Sequence, residues 1–504
     1  MDKMILALDI GTGLVKAGAF DPTGQRLGYA TVPNELSPNR AHPEWTEVDP
    51  QLWKTAAIKA LGELSQQVPL NEAGVLGLST LFPALILMDR EGQPLRPAIL
   101  YSDLRATPQI EQAQQSGLAE RIFQVTGNRL VSGTSTAASL LWVQEHEPEL
   151  LARAAVWGHL TSYVGRWLTG GFYIDQPSAC QSGLYNAEAR AWDIEIAHAL
   201  GVAERLPQVV SPTELVGQLT EQAAHELGLP AGLPLCLGAG DAATGIIGAG
   251  VYGPQENGAG QLTGEVFLAT GTTDTVCLVT NRRIKEPRLQ SILHPLGQSW
   301  IVMASMSYTG GALEWLRRQI LRDDAAALFE EAQAAGPGAG GTIFLPFLRG
   351  ERSPIWDAEV RGVWWGISDA VSRGDLVRAV LEGAGYGLRD CLETLEEVYG
   401  FAIDAMTASG GTTQTSVWGQ IRADVTQKQF ITLAERECSL RGAAWLAGSA
   451  ARITSAPWPA PAGNERFIPN KEVAQLYGTN FQLFKKLYQQ LKGVGAFHGA
   501  RANA

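Results

Sequence analysis

Leu6–Val15 reads L-A-L-D-I-G-T-G-L-V, and these ten residues decide the fold. Apolar Ile5 to Leu8 predict a buried strand that runs straight into an acid, Asp9, and a Gly-Thr-Gly turn. Gly11 and Gly13 permit backbone conformations closed to other residues, and Thr12 supplies a hydroxyl. Turn N–H groups together with Lys16 suit the cradling of phosphate oxygens, while Asp9 suits a hydrated Mg²⁺. An ordinary β-hairpin turn has the same appearance, so the decapeptide alone leaves both readings open.

A second copy favours the functional reading. Glu265 to Val279 reads E-V-F-L-A-T-G-T-T-D-T-V-C-L-V, again an apolar strand, a Gly-Thr turn and an apolar strand. Two such loops, one in each half of the chain, predict an α/β protein with duplicated domains facing each other across a cleft that holds phosphates.

The composition agrees with a large enzyme. A chain of 504 residues, 45% hydrophobic and 18% charged, is long enough to bury two full cores. Its 39 basic and 51 acidic residues give a formal charge of −12, which repels nucleic acid and anionic membrane, and no local basic patch offsets it. Cys180, Cys236, Cys277, Cys391 and Cys438 lie far apart with no C-x-x-C pair, so reduced structural thiols are expected rather than a zinc site or a disulfide framework. The first apolar run breaks at Asp9, too early for a signal peptide, and no stretch of about 18 uncharged apolar residues occurs. A cytoplasmic protein is expected.

Helical periodicity is read over Gln51–Val68, Gln109–Phe123 and Ser139–Ala152 in the first half, and over Gly310–Leu321, Arg373–Tyr399 and Cys438–Ala450 in the second. Turn formers concentrate in Tyr252–Gly264, and Ser455–Gly463 is rich in Pro and Ala. The expected organisation is therefore an N-terminal domain over 1–250, a C-terminal domain over 251–455, and a tail over 456–504 whose helix, Lys471–Leu491, packs on the body. Gly248, Gly250 and Gly253 spell G-x-G-x-x-G, yet Pro254 and further glycines follow where a dinucleotide fold needs a helix. No G-x-x-x-x-G-K-[ST] is present, so any nucleotide is held by another architecture.

Leu235–Gly250, L-C-L-G-A-G-D-A-A-T-G-I-I-G-A-G, places Asp241 at the head of a helix of small residues after a buried strand. Asp is a favoured helix cap, which needs no chemistry. The surrounding small residues let another chain or a ligand approach closely and point instead to a cleft carboxylate, a base that takes a proton from a hydroxyl attacking phosphorus.

With these motifs the chain resembles the FGGY carbohydrate kinases, the sugar-kinase branch of the actin-like ATPases. The resemblance runs through D-I-G-T-G-L-V-K at Asp9–Lys16, W-T-E-V-D-P-Q-L-W at Trp45–Trp53, R-P-A-I-L-Y-S-D-L-R-A at Arg96–Ala106 and G-A-G-D at Gly238–Asp241. It continues through G-T-T at Gly271–Thr273, E-R-S-P-I-W-D at Glu351–Asp357, R-G-V-W-W-G-I at Arg361–Ile367, D-L-x-x-A-V-L-E at Asp375–Glu382 and S-G-G-T at Ser409–Thr412. It implies two ribonuclease-H-like domains with ATP and Mg²⁺ in the interdomain cleft and phosphoryl transfer to a sugar or polyol. Residue by residue, it implies Asp9 and Asp241 at the metal, Asp241 as base, and Gly11, Thr12, Gly13 and Lys16 in the first phosphate loop. It further implies Gly271, Thr272 and Thr273 in the second loop, and Gly310, Gly311, Gly410 and Gly411 where the nucleotide approaches backbone. Arg352, Asp357 and Arg361 read as a structural network bracing a hinge.

The sugar site departs from the family. Xylulose-type members carry Met-His-Gly after the strand that follows the W-x-E-x-D-P helix, and glycerol-type members carry Arg-Glu; here Gly77–Asp89 places Phe82, Pro83 and Ala84 there. Ala242 follows the base where relatives often have Asn or Gln, and Tyr101 replaces the aromatic of W-x-D-x-R, keeping Asp103 and Arg105. A pocket with fewer hydroxyl-binding groups is expected, with Ser79, Thr80, Phe82, Asp103 and Asp241 contacting the sugar. A ketopentose such as xylulose or ribulose leads. Gluconate, glycerol-like polyols, deoxy sugars, and a non-catalytic sugar- or nucleotide-binding relative are the alternatives. The expected partners are the sugar and ATP, without nucleic acid or membrane, and a homodimer is compatible with the sequence.

Overall fold

The computed structural model describes residues 3–34, 42, 44–256, 261–413 and 415–494. Residues 257–260 of the turn-rich Tyr252–Gly264 stretch lie outside the described residues. The chain divides into two compact units that interleave in sequence: Met1–Pro254 with Val279–Ile301 and Glu437–Ala460, and Gln255–Leu278 with Val302–Arg436 and Pro461–Ala504.

The first unit is built on a six-stranded sheet in the order Leu215–Gln218, Pro234–Gly240, Ala73–Thr80, Met4–Ile10, Leu14–Phe20 and Arg26–Pro33. Met4–Ile10 is buried along its whole length, as an apolar central strand must be, and pairs antiparallel with Leu14–Phe20 through the Gly11–Gly13 turn. On its other side it runs parallel to Ala73–Thr80, with Asp9 opposite Ser79, and that strand runs parallel to Pro234–Gly240, with Gly240 opposite Thr80. Asp9 and Asp241 therefore emerge at the same carboxyl edge of three neighbouring parallel strands, where ligands of open α/β sheets bind.

The Cys438–Ala450 helix covers this sheet and crosses the Asp241–Gly248 helix at backbone distance. A Cβ on Gly442 would stand 1.8 Å from the Thr244 carbonyl oxygen, and one on Gly248 the same distance from that of Cys438. The small residues around Asp241 thus serve close packing of another chain segment.

The second unit repeats the plan. Glu265–Thr270 and Asp274–Thr280 form an antiparallel hairpin, and Glu265–Thr270 runs parallel to Ala405–Gly410, with Thr270 opposite Gly410. Gln429–Leu433 and then Gly463–Phe467 extend the sheet. The long Arg373–Tyr399 helix starts at a reciprocal Ser372–Asp375 capping box and buries Val377, Val380, Leu381 and Ala384 in the core. The Ala474–Leu491 helix closes that core with Tyr477, Phe481, Phe484 and Tyr488.

Two predicted helices are broken in the structure. Gln109–Phe123 is two helices, Thr107–Gln115 and Leu118–Thr126, separated where Gly117 takes φ +81°. Ser139–Ala152 becomes Thr136–His146 and Pro148–Arg153, because Pro148 offers no N–H to continue the first. Gly310–Leu321 is an α-helix to Trp315 and a π-helical turn from Leu316 to Leu321. Among the described residues no helix is long and apolar enough to cross a membrane, and all five cysteines are buried.

Candidate active site

Asp9 is 4% exposed, and its carboxylate is held from two sides. The Ser79 hydroxyl donates to Oδ1 at 2.8 Å and Lys16 Nζ to Oδ2 at 3.3 Å. Ser79 Oγ also lies 2.9 Å from Thr244 Oγ1, on the helix that Asp241 opens. Lys16 has a shorter second partner, Glu437 Oε2 at 2.6 Å, and the Tyr29 hydroxyl donates to Glu437 Oε1 at 3.2 Å. Burial opposes the Lys16 ammonium, but the Asp9 and Glu437 charges prevail and raise its pKa. Lys16, expected at a phosphate, is thus tied to two carboxylates. Glu437 escaped the sequence reading because it precedes a helix in the last part of the chain, with no local motif linking it to Lys16.

Asp241 is the first residue of its helix, with Gly240 at the cap position, and its Oδ1 accepts the Ala242 N–H at 2.8 Å. Burial first, and then the Asp9 charge, lift its carboxyl to about 7 against the opposing pull of that N–H and of Lys16. A carboxyl poised near neutrality at a sheet edge suits a general base. The Ser439 hydroxyl donates to the Asp241 carbonyl at 3.0 Å, so the Cys438–Ala450 helix steadies this residue as Glu437 steadies Lys16.

The residues expected around the sugar fare differently. A Cβ on Gly240 would lie 2.1 Å from the Phe82 ring, so Phe82 is seated against the backbone just before Asp241. Ser79 and Thr80 are 0% exposed; the Ser79 hydroxyl is committed to Asp9 and Thr244, and the Thr80 hydroxyl has no partner among the described residues. Neither hydroxyl reaches the surface of its unit.

Asp103 is held on both oxygens by its own unit. Its Oδ1 accepts Arg105 N at 3.0 Å and Arg105 Nε at 2.9 Å, and its Oδ2 accepts Thr46 N at 2.6 Å and Arg105 Nη2 at 2.7 Å. Each carboxylate oxygen thus accepts two hydrogen bonds from neighbouring residues. With Arg105 stacked 4.0 Å over the Trp45 ring and joined to Glu47 at 2.7 Å, this is a brace for the Trp45–Glu47 segment.

In the first turn Gly11 N donates to Leu14 O at 2.9 Å, and Thr12 Oγ1 lies 3.3 Å from the Tyr101 hydroxyl. A Cβ on Gly13 would meet nothing within 4 Å, so no packing explains that glycine. The second unit separates its glycines in the same way. A Cβ on Gly310 would stand 2.2 Å from Gly271 O, one on Gly311 2.3 Å from the Tyr308 ring, and one on Gly410 2.0 Å from Thr270 O. These three serve close packing. Gly411 has open space, Gly271 meets only Thr273 O at 3.7 Å, and exposed Thr272 holds its turn by accepting the N–H groups of Thr309 at 3.0 Å and Gly311 at 3.1 Å. Asp274, which ends this turn, and Arg422 form a buried ion pair at 2.6 Å that the sequence reading missed.

Arg352 donates to Met306 O at 2.6 Å, Arg361 to the carbonyls of Ala358 and Val360, and the Tyr488 hydroxyl to Asp357 at 3.3 Å, so these residues brace the second unit. Among the described residues no group of three His, Cys, Asp or Glu side chains forms a metal cage. Asp9 raises the Asp241 carboxyl through charge repulsion, which a divalent cation bound by these carboxylates would relieve.

The model of the FGGY carbohydrate kinase N-terminal domain matches residues 4–248, and that of the C-terminal domain residues 266–451. The chain belongs to the FGGY family of carbohydrate kinases. It is a sugar kinase with the two-domain actin-like ATPase fold, and ATP is the phosphoryl donor. A xylulose kinase of Staphylococcus epidermidis is 30% identical over 98% of both chains. The crystal structure of a xylulose kinase from Brucella ovis superposes with a TM-score of 0.84 at 29% identity, over 97% of this chain and 100% of that one. A gluconokinase of Bacillus subtilis is 23% identical over 88% of this chain and 86% of its own.

Proposed function

We propose that this FGGY kinase transfers the γ-phosphoryl group of ATP to a hydroxyl of a ketopentose such as xylulose or ribulose, with Asp241 as general base. The observation that carries the assignment is the Asp241 carboxyl, raised to about 7 beside Asp9 at the carboxyl edge of parallel strands. Asp241 takes the proton of the attacking hydroxyl, the new O–P bond forms on that oxygen, and the bond to the ADP oxygen breaks. Each unit by itself offers backbone N–H groups to phosphate oxygens, the second at the Gly271–Thr273 turn and Gly411, the first at the Gly11–Gly13 turn. Lys16, held between Asp9 and Glu437, places a positive charge beside them. Asp9 and Asp241 would hold Mg²⁺, which neutralises developing phosphate charge when bound.

In this reading residues 1–250 take the sugar and 251–455 the nucleotide. The ketopentose rests on the xylulose kinases among the relatives, and Phe82 sets an apolar ring against the backbone just before the base. The gluconokinase relative favours an aldonate as the second reading. Mg²⁺-dependent ATP consumption across ketopentoses, aldonates, polyols and deoxy sugars, with Asp241→Asn alongside, tests the proposal. One ketopentose turned over by wild type alone is the expected result, turnover of gluconate alone moves the substrate to the second reading, and an active Asp241→Asn overturns the base.

A further inference from the structure

Within the second unit, three loops meet: the Gly271–Asp274 turn, Thr309–Gly311 and Ser409–Thr412. One guanidinium joins two of them. Arg422, 1% exposed on the Ser416–Thr426 helix, donates through Nη2 to Asp274 Oδ2 at 2.6 Å and to Thr412 Oγ1 at 2.9 Å, and through Nη1 to Thr412 O at 3.4 Å. Asp274, equally buried, accepts the Gly271 N–H on its other oxygen at 3.4 Å. The third loop is locked by close approach, since a Cβ on Gly310 would strike both Gly271 O and the Thr412 methyl. Neither buried charge touches the surface, so neither is a ligand contact. A buried pair is a costly way to fill a core, because apolar residues of similar volume fill it as well or better. What the pair supplies is a fixed separation between two turns whose open glycines, Gly271 and Gly411, face free space.

We infer that Asp274 and Arg422 are positioning residues that hold the Gly271–Asp274 and Ser409–Thr412 turns in register to receive the nucleotide. The inference rests on the proposal that these turns bind ATP. The planar fork of arginine is what spans Asp274 and Thr412 together, and a lysine ammonium is a point charge without that reach.

The test is steady-state kinetics with ATP and sugar varied separately, on Arg422→Lys and on the paired change Asp274→Val with Arg422→Met, which leaves no stranded charge. Both are expected to raise KM for ATP, the paired change by ~10- to 100-fold in line with a misplaced binding loop, while KM for the sugar stays as in wild type. Arg422→Lys keeps the ion pair and guards against a paired variant that does not fold. A folded variant of either kind with wild-type KM for ATP overturns the inference, as does an equal rise in both KM values, which marks general loosening. Gly411→Val, which fills open space, separates the two levels. If it weakens ATP binding and the paired change does not, the positioning role alone fails; if it leaves ATP binding unchanged, the nucleotide assignment fails and the inference with it.

Discussion

Replacing Asp241 by Asn should make the protein both inactive and more stable at neutral pH. The carboxyl is held at about 7 against an ordinary value of 3.8, chiefly by burial and then by Asp9. Between those two values the folded protein keeps a proton that the unfolded chain has released, so wild-type stability falls as pH rises through that window and levels off above about 7. About three pH units correspond to about 4 kcal/mol, and solvent screening at this partly exposed edge lowers the expected gain to about 2–4 kcal/mol. Asn keeps the shape and the acceptor for the Ala242 N–H while removing the charge. Urea unfolding of wild type and variant should therefore converge near pH 4 and separate fully above about pH 7. Turnover should drop by roughly 10²–10⁴-fold, the share of a general base. A variant no more stable than wild type at alkaline pH would show that the carboxylate is not strained by burial, and retained turnover would remove it from the chemistry.

Other consequences follow from the same geometry. In wild type, kcat/KM for the sugar should fall tenfold per pH unit below about 7, where Asp241 takes up its proton. Lys16→Gln withdraws a charge that lowers the Asp241 pKa, so this acidic limb should move to higher pH; a limb that stays or moves down refutes the coupling. Phe82→His, against Gly240 and beside the base, should change relative rates across a sugar panel more than it changes kcat for the best substrate. Tyr477→Phe removes a hydroxyl 2.8 Å from Glu382 and 3.0 Å from Arg378 in the second unit's core, and should lower stability by about 1–3 kcal/mol with KM for the sugar unchanged.

What the sequence by itself determined is local. Strand, Gly-Thr turn and strand are written in consecutive residues, so both hairpins, the acid at the end of the first and the helix headed by Asp241 were legible. The same holds for the Arg373–Tyr399 and Cys438–Ala450 helices, whose bounds agree with the periodicity. The breaks at Gly117 and Pro148 are also written locally, although apolar spacing continues across both. Tertiary structure decided which of those groups meet. Glu437 reaches Lys16, Arg422 reaches Asp274, and Ser439 reaches the backbone of Asp241 only because helices from late in the chain pack against strands or turns laid down much earlier. It also decided that Asp103 is held by Arg105 and Thr46, and that Gly310, Gly311 and Gly410 serve packing while Gly13 and Gly411 stay open. A side chain's free lone pairs and the space beside a glycine are properties of its neighbours. No residue's own identity records them.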